Sequence, residues 1–407
     1  MYVLHSIYLF LLLCSSFSLF AQYKLGLENI SNELITSLKG KRIGLVTNQT
    51  GKDQQGNRNI DLLLNKGLNI THLFAPEHGI EGMVERGKTV HDAKDAKTGL
   101  PIVSVYSQGG DHTTQGKQVD TALLDAIDVF IFDMQDAGMR HYTYVSTMYK
   151  LLEVASQFGK PVIILDRPNP LGGVMEAPLV EPALKSFIGI APIPVRHGMT
   201  FGELATFFNK YYFQDTVLLT VVKMADYRRD MIFTTLLAPL SPKITTLKSL
   251  RGYSFLGLIG EVWPLNVDGA TEEFTVIGIP KKLKFDVKKF DALRTVLKDL
   301  HIVSCWHTYY SKRRQDYFVG LDLKIEDPNK VSTIHALLAV LEFFKKEGVQ
   351  LSFGNFDRAM GSPIIREYIE GKIDKKRLVQ ALKRDTQAFY IKAKPFILYE
   401  PAPHWLL

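Results

Sequence analysis

Short apolar runs that alternate with helical segments constrain the fold of this chain most strongly. Residues 129–132 and 162–165 are wholly apolar, as is typical of strands that are buried on both faces of a sheet. Residues 70–74 form a similar β-rich run, and the segments between such runs carry apolar residues at helical spacing. This alternation predicts an α/β fold with a Rossmann-like, doubly wound parallel sheet.

Polar side chains follow the apolar runs, at the points where the predicted strands end. Successive parallel strands bring their carboxyl ends to one edge of a sheet, where α/β proteins bind ligands. We therefore expect these side chains to lie close together. The predicted edge carries Asn48, Glu77, His78, Asp133, Gln135, Asp136, Asp166, Arg167 and Asn169.

The length of 407 residues is sufficient for two domains. From about residue 239 the pattern changes to proline-spaced segments, a basic helical stretch and further alternating runs. We predict a Rossmann-like catalytic domain at 22–238 and a smaller α/β domain at 239–407 that closes the cleft.

The first 21 residues contain no Lys, Arg, Asp or Glu and are apolar at their centre. They are too short for a good membrane span and predict a signal peptide cleaved after Ala21, hence export to a periplasm without stable membrane insertion. Lipidation at Cys14 is the alternative, although Leu13 before it fits that processing site poorly. After cleavage Cys305 is the one cysteine left, so the chain forms no internal disulfide.

Several classes of ligand are disfavoured. Neither G-x-G-x-x-G after the first strand nor G-x-x-x-x-G-K-[ST] occurs, so a nicotinamide or ATP cofactor is not expected. The net charge of +7 includes no dense basic block, which disfavours nucleic acid. His78, His141 and His197 match no compact metal-ligand spacing, and we predict no metal.

The oligomeric state is left open.

Five ordered motifs carry a resemblance to a known family. They closely resemble the exo-acting β-N-acetylmuramidase family of the NamZ type, over about residues 41–208. The motifs are F-A-P-E-H-G at 74–79, F-D-M-Q-D at 132–136, R-H-Y-T-Y at 140–144, L-D-R-P-N-P at 165–170 and P-V-R-H-G-M-T at 194–200.

The resemblance implies a glycoside hydrolase that removes terminal N-acetylmuramic acid from the non-reducing end of peptidoglycan fragments. It also implies a cleft between a Rossmann-like domain and a smaller one, with the catalytic glutamate at Glu77. The second half departs from the family pattern, because residues 258–271 and 317–321 lack its Arg and most of its small residues. That departure favours a different sugar, or binding without cleavage.

Hydrolysis of a glycosidic bond requires a proton donor and a second carboxylate on the other face of the sugar. Glu77 is the predicted acid, and its structural alternative is a loop carboxylate that caps a helix or pairs with Arg86. Asp133 or Asp136 is predicted to assist. Asp166 fits better as a turn-fixing ion pair with Arg167.

The remaining candidates are predicted to bind the sugar. Arg140 and Arg167 are suited to the lactyl carboxylate of a muramyl residue, or to salt bridges with neighbouring aspartates. Tyr142 and Tyr144 are candidates for stacking on a sugar ring. The other predicted contacts to the sugar are Asn48, His78, Gln135, Asp166, Asn169 and His197.

Two other functions stay open on the sequence. The altered second half is compatible with a cell-wall-fragment binding protein that has lost catalysis. A metal-dependent hydrolase of another polymer is the weaker alternative, and sensitivity to chelation distinguishes it.

Overall fold

The computed structural model describes residues 23–85, 88, 90–104 and 121–406. The predicted signal peptide, Cys14 and Arg86 lie outside the described residues. Within those residues no helix is both long and apolar enough to span a bilayer.

The larger sheet confirms the predicted parallel α/β architecture. Its described strands run in the order β3-β4-β2-β1-β5-β6-β7, and every neighbouring pair is parallel except β3 with β4. The strands are β1 (Ile43–Thr47), β2 (Ile70–Ala75), β3 (Ala93–Lys94), β4 (Pro101–Ser104), β5 (Val129–Asp133), β6 (Val162–Leu165) and β7 (Leu219–Val222).

Packing on both faces buries the central strands, as their apolar composition predicts. Every residue of β1, β5 and β6 is buried. On one face the rings of Phe74 and Phe130 meet edge to face, with centroids 5.4 Å apart. A Cβ on Gly44 would lie 2.8 Å from Phe74 and 2.9 Å from Phe130, so this strand position requires glycine.

The described α-helices cover the large sheet or build the second unit. In chain order they are α1 (Asn32–Leu38), α2 (Asn59–Asn65), α3 (Tyr144–Phe158), α4 (Phe201–Tyr212), α5 (Leu247–Ile259), α6 (Phe290–Asp299), α7 (Thr333–Lys346), α8 (Phe356–Met360), α9 (Ile364–Ile369) and α10 (Lys375–Ala393).

The spacing of Thr200 and Glu203 in the sequence predicts a capping box at the start of a helix, and the structure confirms it at the start of α4. The Thr200 hydroxyl accepts a hydrogen bond from the Glu203 amide, and the Glu203 carboxylate accepts one from the Thr200 amide. We expect Thr200→Ala to lower the free energy of unfolding by about 1 kcal/mol, because helix amides lose their acceptor. Urea unfolding of both proteins measures the difference. An unchanged midpoint would contradict the prediction.

The sequence pattern also predicts helices at about 283–300 and 119–127 and an extended piece at 192–197, and the structure differs from these predictions in detail. The helix predicted at 283–300 begins only at Phe290, since two short 3-10 turns precede it. The described part of the helix predicted at 119–127 is a 3-10 helix, Thr121–Ala126. The piece predicted as extended at 192–197 forms isolated bridges through Arg196 rather than a strand.

The second unit contains a smaller antiparallel sheet. Its described strands run in the order β11-β12-β10-β9, and a separate pair joins β8 to β13. The strands are β8 (Val262–Trp263), β9 (Asn266–Asp268), β10 (Glu273–Pro280), β11 (Ile302–Ser311), β12 (Asp316–Ile325) and β13 (Ser352–Phe353).

The C-terminal segment after α10 returns to the first unit. Tyr399 donates from its hydroxyl to Asp166 Oδ2 over 2.7 Å, and the His404 amide donates to the Gly173 carbonyl. The chain therefore crosses between the units more than once, and the division at 238/239 stays a proposal.

Candidate active site

A cleft of about 1110 Å³ lies between the carboxyl edge of the large sheet and the second unit. From the first unit, its lining includes the end of β2, the loop before α3 and part of the loop before α5. Of the predicted site residues, the lining contains Glu77, His78 and Tyr142, together with His141.

The backbone after β2 positions Glu77 and His78. The strand ends at Ala75, Pro76 follows, and both His78 (φ 72°) and Gly79 (φ 77°) adopt the left-handed conformation. That conformation is uncommon for a histidine and is concentrated at functional sites. Both Glu77 and His78 are largely buried although they line the cleft.

A backbone contact sets which ring nitrogen of neutral His78 carries the proton. Its Nδ1 lies 2.6 Å from the carbonyl oxygen of Val84. Because a carbonyl oxygen only accepts, Nδ1 carries a proton, and in the neutral ring Nε2 is then an acceptor. His78 is therefore suited to receive a hydrogen bond from a sugar hydroxyl.

Tyr142 and Tyr144 form a buried aromatic pair close enough to Glu77 for its charge to act on Tyr144. Their ring centroids are 4.6 Å apart, and both hydroxyls donate to the Leu240 carbonyl. Burial raises the pKa of Tyr144, and the nearby Glu77 charge raises it further, whereas the Gln49 and Asn48 amides at its hydroxyl lower it. Tyr142 lines the cleft, but Tyr144 is fully buried, so the predicted stacking of Tyr144 on a sugar is wrong.

The structure corrects the roles predicted for Asp133 and Arg167. Arg167 binds Asp133 bidentately, with Nε to Oδ1 at 2.6 Å and Nη2 to Oδ2 at 2.9 Å. Asn59 also donates to Oδ2, and Arg167 Nη1 donates to the Lys52 carbonyl. Both side chains are buried, so this pair braces the strand ends and is not available to the substrate.

Asp166 is structural, but its partner is not the predicted one. Its carboxylate accepts from the Gly202 amide, the Thr200 hydroxyl, the Tyr399 hydroxyl and the backbone amide of Arg167. Burial raises the pKa of Asp166 to about 6. The guanidinium of Arg167 instead binds Asp133, and Asp166 joins the start of α4 to the C-terminal segment rather than contacting substrate.

Arg140 is likewise buried rather than exposed to the cleft. Its guanidinium is 1% exposed and donates to carbonyls of residues 178 and 193 in the first unit and of 359 and 360 in α8. Burial lowers the pKa of Arg140 to about 9. The predicted contact with a lactyl carboxylate is therefore corrected, and Arg140 joins the two units.

Among the strand-end aspartates, Asp136 retains one oxygen without a hydrogen bond from the described residues, Oδ1. Its Oδ2 accepts from the Gly138 amide and lies 3.0 Å from His197 Nε2. His197 Nδ1 accepts from the Met199 amide, which places the proton on Nε2, facing Asp136. Nε2 makes no hydrogen bond with the described residues in spite of this short separation, and His197 is too buried to bind the sugar itself.

The three predicted amide side chains hold loops together. Asn48 Oδ1 accepts from the Thr50 amide and hydroxyl, and Gln135 donates to the carbonyls of Asp136 and Pro168. Asn169 donates to the Met199 carbonyl and accepts from the Leu171 amide. None of the three belongs to the described lining of the cleft, so a direct role for them in sugar binding is not supported.

The sequence predicted that the second unit closes the cleft, but sequence reasoning named none of the residues of that wall as site residues. Its carboxylates are Glu261, Asp268 and Glu273, of which Asp268 lies 3.3 Å from Arg313 and Glu273 lies 2.5 Å from Lys243. Burial raises the pKa of Glu273. Aromatic residues of this wall are Tyr253, Trp263 and Phe274. The difference between residues 258–271 and the family pattern was the sequence feature that indicated this wall.

Comparisons with known proteins agree over nearly the whole chain. Family models described as exo-β-N-acetylmuramidase NamZ, N-terminal and C-terminal, match residues 43–248 and 252–399. The peptidoglycan β-N-acetylmuramidase NamZ of Bacillus subtilis strain 168 is 34% identical over 389 residues, which cover 92% of this chain and 91% of that protein.

Two solved structures of DUF1343 family proteins from Bacteroides fragilis NCTC 9343 are similar in fold. The first has a TM-score of 0.78 and 30% identity, and the second a TM-score of 0.73 and 26% identity. Each alignment covers 93% of this chain and 99% of the other.

Proposed function

This chain belongs to the exo-β-N-acetylmuramidase NamZ family, and we propose that it is a glycosidase that releases terminal N-acetylmuramic acid from the non-reducing end of peptidoglycan fragments. The observation that carries this proposal is the placement of Glu77, a largely buried carboxylate at the end of β2 that lines the cleft. The named function of the Bacillus subtilis relative supplies the substrate class.

In the proposed reaction Glu77 is the acid. It protonates the glycosidic oxygen as the bond from that oxygen to the anomeric carbon breaks. Water forms the new C–O bond at the anomeric carbon, and the proton that this water loses passes to a carboxylate of the site. His78 Nε2 accepts a hydrogen bond from a hydroxyl of the sugar, and Tyr142 contributes to the cleft wall.

Asp136 is the assisting carboxylate in this proposal. Asp133 and Asp166 already accept hydrogen bonds at both oxygens, whereas Asp136 Oδ1 accepts none from the described residues. Asp136 is buried and does not belong to the described lining of the cleft. Burial raises the pKa of Tyr142 and the Asp136 charge raises it further, so Asp136 is assigned an assisting role behind this cleft-lining tyrosine.

Export to a periplasm belongs to the same proposal, since peptidoglycan lies outside the cytoplasmic membrane. It is supported by the charge-free stretch at residues 1–21.

The proposal is tested with para-nitrophenyl β-N-acetylmuramide and the mature protein. Release of nitrophenol supports the glycosidase. Binding of muramyl fragments in calorimetry without turnover would instead support a cell-wall-fragment binding protein, and absence of both would overturn the proposed substrate class.

We expect EDTA to leave turnover unchanged, because proton transfer by Glu77 needs no metal ion. In the part of the chain that the structure describes, no group of three or more His, Cys, Asp or Glu side chains is arranged to hold one. Turnover measured before and after dialysis against EDTA checks this prediction. Loss that added metal restores would favour a metal-dependent hydrolase.

A further inference from the structure

The hairpin between β11 and β12 places three consecutive cations in the cleft wall, Lys312, Arg313 and Arg314. Arg313 pairs with Asp268 at 3.3 Å. Among the described carboxylates, none forms an ion pair with Lys312 or Arg314. Lys243 and Glu273 also neutralise each other, and Glu261 is the other carboxylate of this wall. Lys312 and Arg314 together outweigh that single negative charge and leave this part of the wall net positive.

The guanidinium of Arg314 lies over the ring of an exposed tryptophan. The centre of its guanidinium lies 5.3 Å from the ring centroid of Trp263, a distance at which a cation is attracted to the ring. The ring is 48% exposed and lines the cleft.

The backbone beneath this tryptophan is well anchored. Trp263 pairs with Ser352 across β8 and β13, and the Gly354 amide donates to the Glu261 carbonyl over 3.0 Å. Val262, its neighbour in β8, is buried in the core. The backbone of Trp263 is therefore held in the cleft wall, and its ring contacts Arg314 and lines the same cleft as Lys312.

This combination fits a saccharide that carries a carboxylate. Lysine and arginine form charge-assisted hydrogen bonds with carboxylates, and the planar guanidinium matches their geometry. Ligand pockets combine aromatic walls with a few placed polar groups of this kind. Arg140 and Arg167 are engaged by internal contacts and do not line the described cleft. The arginines that do line it are Arg313 and Arg314.

We propose that Lys312 and Arg314, beside Trp263, bind the carboxylate of the muramyl ligand and thereby select it over a neutral N-acetylhexosamine. This inference rests on the proposed function and names the residues that set its specificity. The carboxylate has two possible sources, the lactyl group of the sugar or a peptide attached to that group.

Calorimetry with three ligands tests the proposal and separates the two sources. N-acetylmuramic acid has a free lactyl carboxylate, its methyl ester has none, and muramyl dipeptide has its lactyl group amidated but carries a peptide carboxylate. The proteins are the wild type, the Lys312→Gln/Arg314→Gln variant and Lys324→Gln. Lys324 is an exposed cation paired with Glu326 outside the cleft lining and serves as the control.

We expect the double variant to bind N-acetylmuramic acid at least about tenfold more weakly, with ester binding unchanged, because hydrogen bonds to a charged group are lost. An equal loss for muramyl dipeptide would assign the peptide carboxylate as a ligand too, and no loss for it would restrict the site to the lactyl group. Equal affinities of variant and wild type for the acid, an equal loss for the ester, or no binding by the wild type would overturn the proposal.

Failure of the hairpin assignment is distinguishable from failure of the proposed function. Wild-type turnover of the nitrophenyl muramide together with unchanged acid binding by the variant overturns only the role of the hairpin. Absence of wild-type turnover overturns the glycosidase, while the calorimetric comparison still reports on the hairpin.

Discussion

Replacing Glu77 by glutamine should lower kcat for para-nitrophenyl β-N-acetylmuramide by about 10²–10⁴-fold, the usual contribution of a general acid or base. Glutamine keeps the size of the side chain and its ability to hydrogen-bond, but it cannot donate the proton that the leaving oxygen requires. The largest loss is expected for leaving groups more basic than nitrophenol, which depend more on protonation. Steady-state kinetics with the nitrophenyl substrate and a natural disaccharide measure both effects.

Glu85→Gln is the matched control for this substitution. Glu85 is an exposed carboxylate that lines the same cleft, so its removal changes the local charge equally without touching the proposed acid. We expect turnover by this variant to stay within about threefold of the wild type, as for a surface charge. Equal turnover by the Glu77→Gln variant and the wild type would contradict the catalytic assignment and leave the family membership intact.

Replacing Arg167 by methionine should lower the free energy of unfolding by about 3–5 kcal/mol, because it leaves the Asp133 carboxylate buried without its cation. Asp133 has no exposed surface, and Arg167 supplies two of the hydrogen bonds to its oxygens. Asn59 alone would remain as a side-chain donor to that carboxylate. Urea unfolding monitored by circular dichroism measures the difference.

The pair of Arg42 with Asp128 provides the comparison. It also has several short contacts, with Nη2 2.7 Å from Oδ1, but both side chains are substantially exposed. Arg42→Met should lower the free energy of unfolding far less than Arg167→Met, because exposed ion pairs contribute little to stability. Similar small losses in both variants would show that Asp133 and Arg167 do not form the buried brace described above.

The sequence predicted the large sheet well because its signals are local. Wholly apolar runs define β5 and β6, and the polar residue directly after a strand must lie at the edge of the sheet. This reasoning placed Glu77 and His78 correctly in the cleft lining. The Thr200 cap was predictable for the same reason, since donor and acceptor are three residues apart.

The choice of partners at that edge was not predictable. Asp133 and Arg167 are 34 positions apart, and Arg140 bonds to carbonyls of α8 more than 200 positions away. A charged side chain that binds substrate and one that joins buried loops can be the same residue type at the same kind of strand-end position. The sequence therefore does not distinguish the two roles. Only the packed structure shows that Arg140, Arg167 and Asp133 are engaged by internal contacts.

The residues of the cleft wall in the second unit could not be predicted for a related reason. Lys312, Arg313 and Arg314 were not singled out from the sequence, because their place in the cleft depends on how the antiparallel sheet packs against the first unit. Trp263 gave no signal that Arg314 would lie over its ring, since 51 positions separate them in the sequence.

Two β-1,4-linked disaccharides test the central claim most directly. One has N-acetylmuramic acid at its non-reducing end and N-acetylglucosamine at the reducing end, and the other has the reverse order. Mass spectrometry of the products should show free N-acetylmuramic acid from the first disaccharide and no cleavage of the second. Cleavage of the second disaccharide, or of neither while the folded protein is present, would contradict an exo-acting muramidase.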